Sequence, residues 1–149
     1  MCSSDLFPSH DTAEIFVKSQ PDTTFKNSIE NRILNVYKEL LSFHLADKND
    51  AALLYADLQR LKYVYEQSQQ TDHYLNALDF LISKNSSSEI VVEALAEKAQ
   101  TLLQNSYLDS KYSKRQAFDI CAEGIAKYPS YSRINVLKNI QSQIISKKI

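Results

Sequence analysis

The chain has 149 residues, a formal net charge of −1, 44% apolar and 23% charged residues, and only one Gly and three Pro. So little glycine counts against an all-β fold and against a phosphate-cradling loop, since turns draw mainly on Gly, Pro, Asn and Asp. The near-neutral charge provides no global field toward nucleic acid or an anionic membrane, and no apolar run approaches the roughly 18–20 residues that span a bilayer.

Residues 1–24 hold two of the prolines, Pro8 and Pro21. They read as an irregular lead-in with a turn of helix over 13–17, packing on the rest through Leu6, Phe7, Ile15 and Phe16. Met1-Cys2-Ser3-Ser4-Asp5 carries no basic and apolar leader, which leaves an envelope location open.

From residue 25 the pattern becomes helical. Ile29, Ile33, Val36, Tyr37, Leu40, Leu41 and His44 recur at steps of three, four and seven, and Ala51, Leu54, Leu58, Leu61 and Tyr65 do the same. Each set falls on one helix face, which we take to point inward. The short polar break Asp47-Lys48-Asn49-Asp50 joins them as an antiparallel hairpin.

Asp72 is the expected N-cap of the next helix, with Tyr74, Leu75, Leu78, Leu81 and Ile82 inward. Ser86 and Glu89 have the spacing of a capping box for a helix that buries Val92, Leu95, Ala96, Ala99, Leu102 and Leu103. Ser113 and Gln116 repeat that spacing before a helix bearing Ala117, Cys121, Ala122 and Ile125, which Pro129 ends. A last helix over 133–145 turns Ile134, Leu137, Ile140, Ile144 and Ile145 inward.

The expected fold is therefore all-α, with about six helices over 25–149 in antiparallel pairs near 25–67, 72–105 and 113–147. This spacing suits stacked two-helix repeats. We favour such a stack over a four-helix bundle with two added helices.

The segment Ala117-Phe118-Asp119-Ile120-Cys121-Ala122-Glu123-Gly124-Ile125-Ala126-Lys127-Tyr128-Pro129 resembles the second helix of a tetratricopeptide repeat. Ala117, Gly124-Ile125 and Pro129 stand where that pattern has a small residue, a small-plus-aliphatic pair and a terminating proline. Cys121 replaces its usual aromatic, and the first-helix signature is missing upstream. The resemblance implies a right-handed α-α superhelix.

A longer resemblance runs through Ser4-Asp5-Leu6-Phe7-Pro8, Tyr37-Lys38-Glu39-Leu40-Leu41-Ser42-Phe43-His44, Asp47 to Leu53, Ala56 to Tyr65, Tyr74 to Leu78, and Ile125 to Pro129. Together these look like the helical N-terminal region of large bacterial alpha-2-macroglobulin-like proteins. That likeness rests on helix patterns rather than a catalytic motif. It implies an accessory region of a protease-trap protein in the cell envelope, periplasmic or outer-membrane associated.

Several constellations invite chemistry and have simpler explanations. Cys121-Ala122-Glu123-Gly124 resembles the macroglobulin thioester stretch, but Gly124 stands where the glutamine must be, so no acyl group is available. Cys121 reads instead as a small buried hydrophobe. Cys2 has the residue type of a lipidation site and equally reads as an ordinary terminal residue. His10, His44 and His73 lack metal-ligand spacing, and His44 suits a helix C-terminus.

Glu89, Glu93 and Glu97 form an acidic stripe expected to be solvated. Lys111, Lys114 and Arg115 around Tyr112 are the densest basic cluster, but Asp109 and Asp119 offset them, so nucleic acid is not expected. Lys147-Lys148 suits a helix end. Among the tyrosines, Tyr37 and Tyr65 read as inward, while Tyr55, Tyr63, Tyr107, Tyr112 and Tyr131 suit either seams or binding surfaces.

No residue is assigned to catalysis, cofactor binding or metal binding. The expected work is to bind or position protein, most naturally other parts of a longer polypeptide, with the contacting residues and oligomeric state left open. The alternative is a free-standing tetratricopeptide-like adaptor holding a peptide in its concave face.

Overall fold

The computed structural model describes residues 10–19 and 29–146, and these contain no strand. Seven helices lie among the described residues: α1 (Ala13–Lys18), α2 (Ile29–Asp47), α3 (Asp50–Ser68), α4 (Thr71–Lys84), α5 (Val91–Ser106), α6 (Lys114–Lys127) and α7 (Asn135–Ser146). The protein is all-α. The helix beyond the expected six is α1, the lead-in turn of helix extended by one residue to Lys18. The chain divides into two units, residues 1–77 and 78–149, with the boundary inside α4.

In the first unit, α2 and α3 run antiparallel, with Tyr37 beside Tyr63 at one level and Leu41 clustered with Ala56 at another. The two-residue link is closed by side chains. Asp47 Oδ1 accepts the Asn49 N–H at 2.9 Å, and Asn49 caps α3 by accepting the Ala52 N–H at 3.1 Å. Without glycine here, Lys48 takes the left-handed conformation at φ 56°, as Gln69 does at the end of α3.

α3 is the buried element of this unit. Leu54, Leu58 and Leu61 are inward as expected, joined by Ala56, Asp57, Arg60 and Val64, whereas Ala51 is exposed. α1 is capped by Thr12, whose Oγ1 accepts the Ile15 N–H at 3.4 Å. It buries Phe16 but leaves Ile15 55% exposed, contrary to its expected packing role. Leu6, Phe7 and Cys2 lie outside the described residues, as do 20–28 and Lys147-Lys148.

α4 starts at Thr71, so Asp72 sits in its first turn rather than at the cap. Thr71 Oγ1 instead meets the Tyr65 hydroxyl at 3.2 Å. Tyr74, Leu78 and Leu81 are buried, as their spacing required.

In the second unit, α5 and α6 are antiparallel, and α7 returns along α6 while lying beside α5. The Ser86–Glu89 capping box does not form. α5 has Ile90 at its N-cap with no side-chain bond, and it is approached through a chain of tight turns, Ser88 N–H to Asn85 O, Val91 N–H to Ser88 O and Val92 N–H to Glu89 O. These turns satisfy the first amides of α5, those of Val91 and Val92, without a side-chain cap. Ser113 does cap α6, accepting the Gln116 N–H at 3.2 Å.

Ala117, Cys121 and Gly124 form the inner line of α6, while Ala122 is exposed. Gly124 permits close packing, because a Cβ there would stand 2.6 Å from Leu137 Cδ1 and 3.2 Å from Leu95 Cδ1. α6 ends before Pro129, with the Tyr128 N–H bonded to Gly124 O and the Tyr128 hydroxyl donating to Ser86 O. Ile134, Leu137, Ile140 and Ile144 are buried, but Ile145 is 57% exposed.

Candidate docking face on α2

α2 carries apolar residues on two faces, and among the described residues only one of them is packed against other helices. Leu41 is fully buried and Asn31 nearly so. Leu34 and Tyr37 pack against the cluster of Ala13, Phe16, Leu41 and Ala56. The other face points to solvent: Ile29 is 69% exposed, Val36 62%, Leu40 40% and Phe43 63%. Of these, Ile29, Val36 and Leu40 had been expected inward, and the structure corrects that placement; Phe43 was not part of the expected inner stripe. The periodicity joined two adjacent stripes into one, and spacing alone does not reveal which stripe has protein across it.

With half-buried Ile33, the outward residues follow steps of four, three, four and three. That is the spacing of a coiled-coil seam, in which alternate steps keep apolar side chains on one line facing a partner helix. Glu30, Arg32 and Glu39 flank the line and are exposed. Single exposed apolar residues are commonplace, but a contiguous row of four on one helix is the pattern associated with an interaction surface.

The inner face of α2 is fixed by α1 and α3, which determines what α2 turns outward. Lys38 reaches from α2 to the α1 C-cap, its Nζ donating to Ser19 O at 2.5 Å. From α3, Arg60 Nη2 donates to Asp11 O at 2.7 Å, and its guanidinium lies 4.5 Å from the centre of the Phe16 ring. Asp57 Oδ1 pairs with Arg60, and both residues are buried. No spacing rule flags this pair, since Asp57 and Arg60 occur in sequence as an ordinary surface i,i+3 couple.

The same unit brings two of the scattered histidines together. The His10 and His73 rings meet edge-on at 5.9 Å, and His10 lies 6.4 Å from the Tyr74 ring, which stacks on Tyr65 at 4.5 Å. Neither His10 ring nitrogen has a hydrogen-bond partner among the described residues. Burial foremost, then the proximity of His73 and Arg60, pushes its pKa down to about 4. His44 stands apart at the end of α2, 3.3 Å from Asp47 Oδ2. The described residues hold no group of three or more His, Cys, Asp or Glu placed to share a metal ion.

The remaining candidates lie in the second unit. Cys121 is fully buried, and its thiol is pushed up to about 11 by that burial. The acidic stripe is not uniformly solvated. The Glu93 side chain is 13% exposed and holds Arg133 Nε at 2.9 Å and the Tyr131 hydroxyl at 2.7 Å. Burial first, then this bond to Glu93, raises Tyr131 to about 12.

The basic cluster is largely matched. Arg115 Nε lies 3.1 Å from Asp119 Oδ1, while Lys114 and Lys111 rest over the Tyr107 and Tyr112 rings at 4.4 Å and 5.2 Å. Tyr37 and Tyr65 are half-buried, as are Tyr63, Tyr112 and Tyr131, and Tyr55 and Tyr107 are about half exposed. No described helix is long and apolar enough to cross a membrane.

Compared with protein-family models, curated proteins and solved structures, the chain matches none of them.

Proposed function

We propose that this chain is a non-catalytic, all-helical protein-interaction module that receives a partner helix on the outward face of α2. The observation carrying this reading is the row Ile29, Val36, Leu40 and Phe43, each at least 40% exposed and set at coiled-coil spacing. Covering such a row removes apolar surface from water at roughly 25 cal/mol per Å². The element bearing it is braced from behind by α1 and α3, so the face is presented with little ordering cost.

Site-specific photo-crosslinking in the native cell tests the reading. A photoreactive residue at Val36 or Phe43 should give a discrete crosslinked polypeptide, and one at exposed Gln67 on α3 should not. Seam positions that yield no more product than the Gln67 control would overturn it.

A second reading places the module as an accessory region of a larger macroglobulin-like envelope protein, supported by the resemblance over Tyr37 to His44 and Ala56 to Tyr65. A native reading frame that continues past Ile149 into long β-rich sequence supports this placement. A frame that stops there removes it.

A further inference from the structure

We infer that the helix covering the α2 seam is α2 of a second copy of this chain, laid antiparallel across a two-fold axis. This rests on the docking reading above and names its partner. A seam that pairs with itself must be complementary to itself under a two-fold rotation, and in α2 one register meets that condition in both shape and charge.

In heptad terms, Ile33 and Leu40 take one core position and Ile29, Val36 and Phe43 the other. Antiparallel helices place residues of the first kind opposite residues of the second. The register that sets Ile33 across from the other copy's Val36, and Leu40 across from its Ile29, makes four apolar layers by symmetry. The residues flanking those layers are then Arg32 of one copy and Glu39 of the other, and the rotation makes this contact twice. Both residues are exposed in the single chain, so they are available for it.

The competing registers lack this match. Sliding the helices so that Ile33 meets the other copy's Phe43 brings Glu39 beside its own counterpart, a like-charge contact at the centre of the interface. A parallel in-register pair sets Arg32 beside Tyr37 and Glu39 beside His44, with no arginine–carboxylate contact. Tyr37 and His44 are also half-buried against the chain's own helices. Charge therefore selects the antiparallel register with Arg32 opposite Glu39. The seam is only two heptads long, short of the ~1,200 Å² that marks a standard stable interface, so association belongs in the micromolar range.

Sedimentation velocity of the full chain, from about 5 to about 500 µM, tests this. The native chain should pass from monomer to dimer across that range, and Val36→Glu should stay monomeric with unchanged helical circular dichroism. Arg32→Glu and Glu39→Arg should each weaken the dimer roughly tenfold, since each turns two attractions into two repulsions. An equimolar mixture of these two variants should recover native-level association, because every flanking contact between them is again of opposite sign.

A native chain that is monomeric throughout would overturn the inference, as would a mixture no tighter than its components. If the chain is monomeric yet crosslinks from Val36 to a different polypeptide, the second-copy assignment fails and the docking reading stands. If it is monomeric and yields no crosslink, both fail.

Discussion

Arg60 and Asp57 form an ion pair one helical turn apart on α3, with Arg60 Nη2 and Nε at 2.5 Å and 2.8 Å from the same Asp57 oxygen. The arginine is fully buried, and Asp57 is 5% exposed. Burial pushes the guanidinium pKa down, while Asp57 first and then Asp11 and Glu14 push it back up. The pair also carries the lead-in, since Arg60 binds Asp11 O and faces the Phe16 ring. One residue thus ties α1 to α3 through a charge that cannot reach water.

Removing only one partner leaves that charge uncompensated. Asp57→Ala should destabilise the first unit by about 3–5 kcal/mol in chemical denaturation, whereas Asp57→Ala combined with Arg60→Met should cost distinctly less. A double variant as unstable as Asp57→Ala alone would show that the pair's hydrogen bonds, not its charge balance, hold the site.

His10 predicts a pH dependence of the same region. Its folded pKa of about 4 lies below the ordinary 6.5, so the unfolded lead-in takes up a proton first as pH falls. The stability that neutral His10 supports is complete above about 6.5 and declines toward 4, at a rate of at most about 1.4 kcal/mol per pH unit for one proton. The charged or titratable groups that act on it are His73 on α4 and Arg60 on α3, and Asp57, Asp11 and Glu14 act in turn on Arg60. The informative quantity is the difference between the native chain and a variant lacking the imidazole. Amide-exchange protection of α1 should fall between pH 6.5 and 4.5 in the native chain and less steeply in His10→Phe. Parallel profiles would exclude His10 as the cause.

How much of this was readable in sequence depended on what each pattern encodes. Leu54, Leu58 and Leu61, Tyr74, Leu78 and Leu81, and Leu137, Ile140 and Ile144 fell inward where their spacing put them, because those helices carry one dominant apolar face. α2 carries two, and Val36 and Leu40 were placed on the wrong one since periodicity measures spacing, not occupancy of the facing side. The Ser86–Glu89 box failed because α5 begins only at Val91, so Ser86 and Glu89 both lie in the turns ahead of the helix rather than at its N-cap and in its first turn. The Arg60 site and the meeting of His10 with His73 were beyond reach for a simpler reason. Forty-nine residues separate Arg60 from Asp11, and local pattern does not report long-range proximity.

The glycine shortage that first identified the fold class has a stability cost at the α2–α3 link. Lys48 holds φ at 56°, a left-handed conformation that costs an L-residue roughly 1–2 kcal/mol and glycine almost nothing. Lys48 is exposed, so its side chain contributes little to offset that strain. Lys48→Gly should therefore stabilise the chain by about 1 kcal/mol, net of the entropy glycine adds to the unfolded state. Thermal melting would register it as a rise of a few degrees, and β-branched Lys48→Val should shift the transition the other way. An unchanged midpoint in the glycine variant would mean that the strain is relieved elsewhere in the link.

Gly124 presents the opposite case, a glycine inside a helix where propensity alone argues for alanine by roughly 1 kcal/mol. The added methyl would meet Leu137 Cδ1 at 2.6 Å and Leu95 Cδ1 at 3.2 Å. Leu137 is fully buried, so it can yield only by pushing its own neighbours, at about 1–3 kcal/mol. Gly124→Ala should thus be net destabilising, by about 1 kcal/mol. The sign should reverse once the obstruction is gone. In a Leu137→Ala background the same methyl fills part of the vacated space and keeps its helix-propensity gain, so Gly124→Ala should stabilise there. Four urea-denaturation curves complete the cycle, and a destabilisation of equal size in both backgrounds would show that Leu137 is not what excludes a side chain at 124.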